Sequence, residues 1–528
     1  MMPSSYLAII ALILLGFQLL RTWWRLKSIP GPFWAKITNF QRVFWVRTGR
    51  AHEIHMEMHE KYGDFVRFGP NMISIGDPAA IPTVYPMRPG FPKVKEAKGS
   101  SIDTWRTLMP YTKKGGALPA VFNTRDEKLH KQIKNPIGPF FSMSSVVTYE
   151  PFVNEVLEIM CKQLDERFVS SAQIFDLGEW LQFFAFDVMG TLTFSKRYGF
   201  LETGQDVKNV LATIWTYMKR AAPMTQIPWL DQLWNKNSWT TLLRSTTTGF
   251  SILKIVGDFI NDRRNSGEKD NHERQRDMLS RFMEVQKKDP SIPPWAVTAW
   301  TFSNVIAGSD STGVVLRTAW FNLTAHPSTF HKLRAELVRN AVSRPYPKWS
   351  ELQHLPYLDA CVLEASRLHP PFCLPLERVV PAGGVTICGR YFPTGTVVGM
   401  SPWVANRHKP TFGEDAEQWR PERWLEVGEE QRKKMEQSIM TFGAGRRICL
   451  GKNLAVFEMK KLTATLVMNY DVSFSLSLSS GETDDLSSKV DLIDPKSFVC
   501  ENAWFFKQRG LNVRIMRHNE APASIQRE

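Results

Sequence analysis

A chain of 528 residues with 43% hydrophobic and 12% aromatic content can bury a large core, and no Gly/Ser- or Pro-rich linker divides it. Its formal charge of +14 would suit nucleic acid, an anionic membrane surface or an acidic protein partner. The Lys and Arg residues are dispersed, with no arginine-rich block and no nucleic-acid motif, which argues against nucleic acid and for a basic face turned to an acidic protein partner.

Tyr6 to Leu20 is an uninterrupted uncharged run, followed by Arg21, Trp23, Trp24, Arg25 and Lys27. At a rise of about 1.5 Å per residue, the run and its flanks nearly cross a bilayer core of roughly 30 Å. Basic residues follow the run and none precedes it, so the positive-inside rule places the body in the cytosol. A cleaved signal peptide would carry basic residues before the run and a small-residue cleavage site after it, and both are missing. The expectation is an uncleaved anchor over residues 1–28, a body over 29–518 and a tail over 519–528. Ile29-Pro30-Gly31-Pro32 makes a stiff elbow between anchor and body.

Lys61 to Gly76 alternates with period two around Gly69-Pro70-Asn71, the pattern of a β-hairpin. Most of Asp126 to Leu368 reads as helices, with loops expected at Pro223–Pro228, at the charged run Ser266–Arg276 and at Pro290–Pro294. Pro294 to Leu323 reads as one long apolar helix with an interruption at Ala307 to Thr312. A glycine and a cluster of hydroxyls there cost stability and tend to bend or widen the helix. Glu364 and Arg367 lie three apart in the apolar helical pattern Leu358 to Leu368, sharing one face, and a charge buried there must be paired. Gly384 to Gly399 returns to strand character, Pro421 to Trp424 places Arg423 in a turn, and Trp504–Phe506 with Gly510–Met516 reads as a terminal strand pair.

Phe442 to Gly451 carries the most information. It reads F-x-x-G-x-R-x-C-x-G and puts Cys449 after a glycine- and arginine-rich loop, just before the helix-like run Leu454 to Leu466. A thiol at a helix N-terminus faces unpaired N–H groups and the positive end of the macrodipole, which favours its anion. Gly445 and Gly451 would let a bulky planar group approach, and Arg447 could pair with a carboxylate of that group. These are the parts of a thiolate ligand for haem iron. Cys161, Cys361, Cys373, Cys388 and Cys500 have no metal-type spacing and read as reduced core or surface residues.

This spacing matches the haem-binding signature of the cytochrome P450 family, which the chain resembles from the proline elbow to the terminal strands. RDEKLHKQIKNPI, AGSDST and FGAGRRICLGKNLA are similar in texture to the fungal microsomal branch that includes pisatin demethylase. The resemblance implies a mainly α fold with small β-sheets, preceded here by a single N-terminal transmembrane helix. It implies heme b, iron protoporphyrin IX held by Cys449, in a monooxygenase that inserts one atom of O2 into an apolar substrate. Such enzymes act in secondary metabolism or detoxification, and an endoplasmic reticulum membrane location with the catalytic domain in the cytosol follows for a single-pass member. Electrons would come from NADPH through NADPH-cytochrome reductase, because the chain has no nucleotide-binding fingerprint.

The family's E-x-x-R helix and P-x-R turn fall on Glu364, Arg367 and Arg423, with a structural role. Its oxygen-activation motif falls on Ala307 to Thr312, with Asp310 and Ser311 as the acid–alcohol pair and Thr312 next in line. The usual threonine is Ser311 here, so the hydroxyl survives without the methyl that restricts its rotamer. Phe442 and Arg447 sit in the cysteine signature; His130, Lys134 and Arg378 are further candidates for the haem propionates, Lys134 lacking arginine's two-pronged geometry. Arg446, Lys452 and Lys460 flank the loop as a docking face for the reductase. Pocket walls are expected from the segment before Ala307, from Phe372–Leu376 and from Trp504–Phe506. Two other readings share these residues: an isomerase or dehydratase needing no external electrons, and a non-catalytic haem sensor, which would not need Asp310 and Ser311.

Overall fold

The structure, a computed structural model, describes residues 6, 16, 17, 20–88, 90–93, 104–109, 118–234, 249–265, 277–474 and 498–518. The expected anchor run, Tyr6 to Leu20, lies almost wholly outside the described residues, as do the charged run Ser266–Arg276 and the 519–528 tail. Among the described residues no helix is long and apolar enough to cross a membrane.

Helices α1 (Phe33–Ile37), α2 (Phe40–Arg47) and α3 (Ala51–Tyr62) precede the predicted hairpin, strands β1 (Phe65–Gly69) and β2 (Met72–Ile75), which pairs Phe65 with Ile75. Then come α4 (Glu127–Lys134), β3 (Phe175–Asp176), α5 (Leu177–Phe194), α6 (Val210–Met224), the long α7 (Ala296–Ala325) and α8 (Pro356–Leu368). Aspartates start two of these: Asp126 accepts from the N–H groups of Lys128 and Leu129 in α4, and Asp176 from Gly178 in α5. Strands β4 (Arg378–Val379), β5 (Val385–Ile387), β6 (Arg390–Phe392) and β7 (Val397–Gly399) follow, then α9 (Lys452–Asn469) and β8 (Tyr470–Phe474). The described chain closes with β9 (Val499–Ala503), β10 (Phe505–Arg509) and β11 (Asn512–Arg517). The expected mainly α class with small sheets is observed.

Three expectations change. The loop at Pro223–Pro228 shrinks to residues 225–227, because Pro223 stays inside the last turn of α6 and Pro228 opens the next helix. A proline near a helix end forfeits only one intrahelical bond. The terminal strands do not pair with each other: β10 pairs with β9, whereas β11 pairs with β8 and β3. Finally, α7 is helical without a break. Two of its hydroxyls bond back to the preceding turn, Ser309 to the Val305 carbonyl at 2.8 Å and Ser311 to that of Ala307 at 2.5 Å, so these are satisfied inside the helix.

The main core joins Phe183, Phe184 and Phe186 of α5, Val315, Leu316 and Trp320 of α7, and Leu454, Phe457 and Leu462 of α9. The close approach of α5 and α7 depends on Gly308, where a Cβ would lie 2.5 Å from the Met189 sulfur.

Behind this core, Glu364 is fully buried between two arginines. It accepts from Arg367 Nε at 2.9 Å and Nη2 at 2.8 Å, from Arg423 Nε at 2.9 Å and from the Trp424 indole N–H at 2.9 Å. Both guanidiniums spend further donors on carbonyls, Arg367 on Asn406 at 2.9 Å and Arg423 on Phe412 at 2.6 Å. The expected structural triad is therefore formed. Glu364→Leu leaves two buried cations without their shared carboxylate and should cost about 3–5 kcal/mol. Denaturant unfolding of the haem-loaded chain measures this, and a loss below about 1 kcal/mol would show that the cluster does not hold the fold.

Candidate haem and oxygen site

The loop after residue 439 turns back so that the Cys449 N–H donates to the Phe442 carbonyl at 2.8 Å. Gly443 and Gly445 adopt φ of +66° and +64°, which this turn requires. The reason for Gly445 differs from the expected one. A Cβ there would lie 2.0 Å from the Tyr85 carbonyl oxygen, so the close neighbour is another stretch of backbone. Gly451 has an ordinary φ of −82° and serves as the N-cap of α9.

Cys449 opens into a cavity of about 310 Å³. Burial in this interior pushes its thiol up, against the N–H groups of Gly451 and Lys452 and the charges of Lys452 and Lys134, which favour the thiolate. The helix-terminal donors that the sequence implied are present, but burial outweighs them. A metal cation replacing the proton would reverse that balance.

One side of the cavity gathers basic side chains. Lys93, Arg378, Arg447 and His130 all line it, and all are nearly fully buried. Burial and then the nearby Arg447 and Arg378 hold the Lys93 ammonium well below its usual range. Burial, assisted by Arg447, Lys134 and Lys93, takes His130 down to about 3, so its ring is neutral. Burial brings Arg378 to about 10. Arg447 donates to Glu127 at 2.7 Å and to the Thr124 carbonyl at 3.1 Å, while its Nε is buried with no partner. The single carboxylate of Glu127 is shared with Arg446 at 3.2 Å. So many buried donors and cations call for a further anion.

Lys134 does not line this cavity; its ammonium donates to the Arg446 carbonyl at 2.7 Å. Phe442 does line it, beside Leu450, Leu454 and Ala455. Two residues here escaped the sequence reading: Lys93, which lies 3.7 Å above the Trp105 ring, and Glu458, a buried acid whose Oε2 has no partner. An isolated lysine or a glutamate in a helix carries no spacing signal, so neither could be found in one dimension.

The acid–alcohol residues separate. Ser311 and Thr312 line the cavity with Ala307 and Gly308, whereas Asp310 accepts a hydrogen bond from Gln182 of α5. Burial pushes the Asp310 carboxyl up to about 6, with Gln182, Arg317 and Lys507 pulling it down. The expected walls are largely present: Phe302, Ser303 and Ile306, then Phe372 and Leu376, then Trp504 and Phe505. Phe372 stacks on Phe122 with centroids 5.6 Å apart and meets Phe505 at 4.6 Å, which makes an aromatic wall. The docking face loses one member, because Lys460 is buried, bonded to the Leu352 carbonyl at 3.0 Å and paired with Asp359 at 2.5 Å.

A thiol, a bank of buried donors at one side and apolar walls between them fit a planar, dianionic, metal-bearing group. Cys449 would hold its metal, and Arg378, Arg447, Lys93 and His130 its carboxylates. Comparison with known proteins agrees with that geometry. The cytochrome P450 family profile matches residues 30–490. The chain is 53% identical over 525 residues to cytochrome P450 monooxygenase pkfB of Emericella nidulans, covering 99% of this chain and 97% of that protein. To cytochrome P450 monooxygenase asR2 of Sarocladium schorii it is 51% identical over 526 residues, 96% of each. To cytochrome P450 monooxygenase mpaDE of Penicillium brevicompactum it is 54% identical over 521 residues, 98% of this chain and 58% of that longer protein. The chain belongs to the cytochrome P450 family, and it is a monooxygenase with a haem-thiolate iron.

Cys449→Ser should therefore abolish the strongly red-shifted Soret band of the reduced carbonyl complex, while Cys161→Ala leaves it in place. A folded Cys449 variant that keeps the band would move the ligand elsewhere.

Proposed function

We propose that this monooxygenase takes electrons from NADPH through a flavoprotein reductase and inserts one atom of O2 into a substantially apolar substrate, in fungal secondary metabolism. The reading rests on one observation: Cys449, Ser311 and Thr312 open onto the same largely aromatic and aliphatic cavity. A thiolate-held haem supplies the electron-rich iron that favours O–O cleavage. The chain's own residues do the rest. The wall of Phe122, Phe372, Trp504 and Phe505 excludes water and orients an apolar ligand by shape. Ser311 Oγ, held on the Ala307 carbonyl, can rotate to hold a water in the cavity, and the Asp310 carboxyl can hold or release a proton near neutral pH.

The redox partner is an acidic flavoprotein steered to the basic loop around Cys449, where Lys452 is exposed and Arg446 half-buried. The body is tied to the endoplasmic reticulum membrane by residues 1–28 and faces the cytosol. Exposed aromatics just after that segment support this, notably Phe33, Trp34 and Phe44, rings suited to the headgroup layer.

Ser311→Ala should keep haem and substrate binding but divert electrons to peroxide, and Asp310→Asn should slow turnover on the order of a hundredfold. The measurement is product formed per NADPH oxidised, with peroxide assayed alongside; an unchanged ratio in both variants would remove this helix from the proton path. Deleting residues 1–28 should release most of the protein from membranes with its Soret spectrum intact. Continued tight association would assign membrane binding to the exposed aromatic face instead.

A further inference from the structure

The geometry points to Gln182 as a positioning residue: its side-chain amide ties the Asp310 carboxylate to α5 and keeps that carboxylate apart from Arg317. The inference rests on the proposed role of Asp310 as the acid beside Ser311.

Asp310, Gly313 and Arg317 recur at helical spacing along one face of α7. Gln182 lies across that face. A Cβ on Gly313 would sit 3.5 Å from the Gln182 Cα and 3.7 Å from its Cβ and Cγ, so the glycine leaves the stem of the glutamine its place. The amide at the end of that stem is used on both sides. Its Nε2 donates to Asp310 Oδ1, and its Oε1 accepts from Arg317 Nη2 at 2.6 Å. Arg317 is itself held on α5, donating Nε to the Gly178 carbonyl at 2.7 Å. A Cβ on Gly178 would lie 3.1 Å from that Nε, so Gly178 lets the guanidinium settle there.

The direction of the amide follows from chemistry. A guanidinium only donates, so it must receive the amide oxygen, and the NH2 group is left facing Asp310. Arg317 thereby fixes which way Gln182 can serve. Placed directly on Asp310, the same guanidinium would hold the carboxylate ionised far into acid. With a neutral amide between them, burial pushes the carboxyl up to about 6. The Gln182 N–H, Arg317 on the same helix and Lys507 of β10 lower it, and Asp206 raises it. Asp310 is thus ionised above that value and protonated below it, poised to exchange a proton near neutrality, as a proton-relaying acid requires.

The test uses the full-length, haem-loaded protein. The C=O stretch of protonated Asp310 is identified in the infrared by its absence in Asp310→Asn and followed against pH. Gln182→Leu removes the donor but keeps a side chain of similar bulk between Asp310 and Arg317, so the titration midpoint should rise by about one to two pH units, whereas a fall would show Arg317 reaching the carboxylate and uphold the separating role alone. Gln182→Glu keeps the length and the contact to Arg317 but offers no donor and adds a like charge, so its midpoint should rise at least as far. Product per NADPH should fall in both variants. An unchanged midpoint in either variant that retains the red-shifted carbonyl Soret band overturns the inference. A midpoint that moves while product per NADPH stays constant upholds the clamp and instead removes Asp310 from proton delivery. If Gln182→Leu does not fold, Gln182→Glu decides alone.

Discussion

A single buried carboxylate organises the region that presents the cysteine. Glu364 leaves water only because two guanidiniums and an indole N–H meet its oxygens, and those guanidiniums in turn need the carbonyls around them. The consequences reach Cys449 through hydrogen bonds. Arg367 holds the Asn406 carbonyl, and the Asn406 side chain accepts the Met440 N–H at 2.8 Å and donates to Thr441 Oγ1 at 2.9 Å. Thr441 donates to the Ser366 carbonyl at 2.5 Å, back on α8. The chain entering the cysteine loop is therefore fixed just before Phe442, whose carbonyl takes the Cys449 N–H. The cluster lies outside the cavity, and it anchors the chain that leads to the thiol.

Electrostatics divides the cavity and its surroundings into two regimes. Around Arg447 the buried cations lower one another's proton affinity and share Glu127, an arrangement that improves when a dianion arrives. Along α7 the opposite holds: acids and bases are matched through a neutral amide, so that no strong ion pair fixes Asp310 in one protonation state. The first arrangement suits permanent binding of a cofactor, and the second suits a group that must exchange protons repeatedly.

Glycines show how different the same residue's purposes are. At Gly308 the space a side chain would fill belongs to Met189, and the glycine brings α5 and α7 together. Gly445 likewise admits the Tyr85–Pro86 backbone. In both places the close approach is real, but the approaching body is another part of the chain.

The sequence by itself determined the class of fold, the cysteine loop, the buried Glu364–Arg367–Arg423 cluster, the first hairpin and the aromatic segments of the pocket. These are written in local spacing: a ten-residue signature, charges three apart in an apolar helix, period-two alternation. Only the tertiary structure decided which way side chains face. It turned Asp310 toward Gln182, gave the long helix its continuity through hydroxyls bonded to the preceding turn, buried Lys460, and paired the last strands with partners outside the segments read as a pair. It also assembled Lys93, Arg378, Arg447 and His130 at one side of the cavity, although they are separated by long stretches of chain. Spacing reveals a residue's neighbours along one element. The partner that a charge or donor finds across elements depends on how helices pack, and no one-dimensional pattern carries that information.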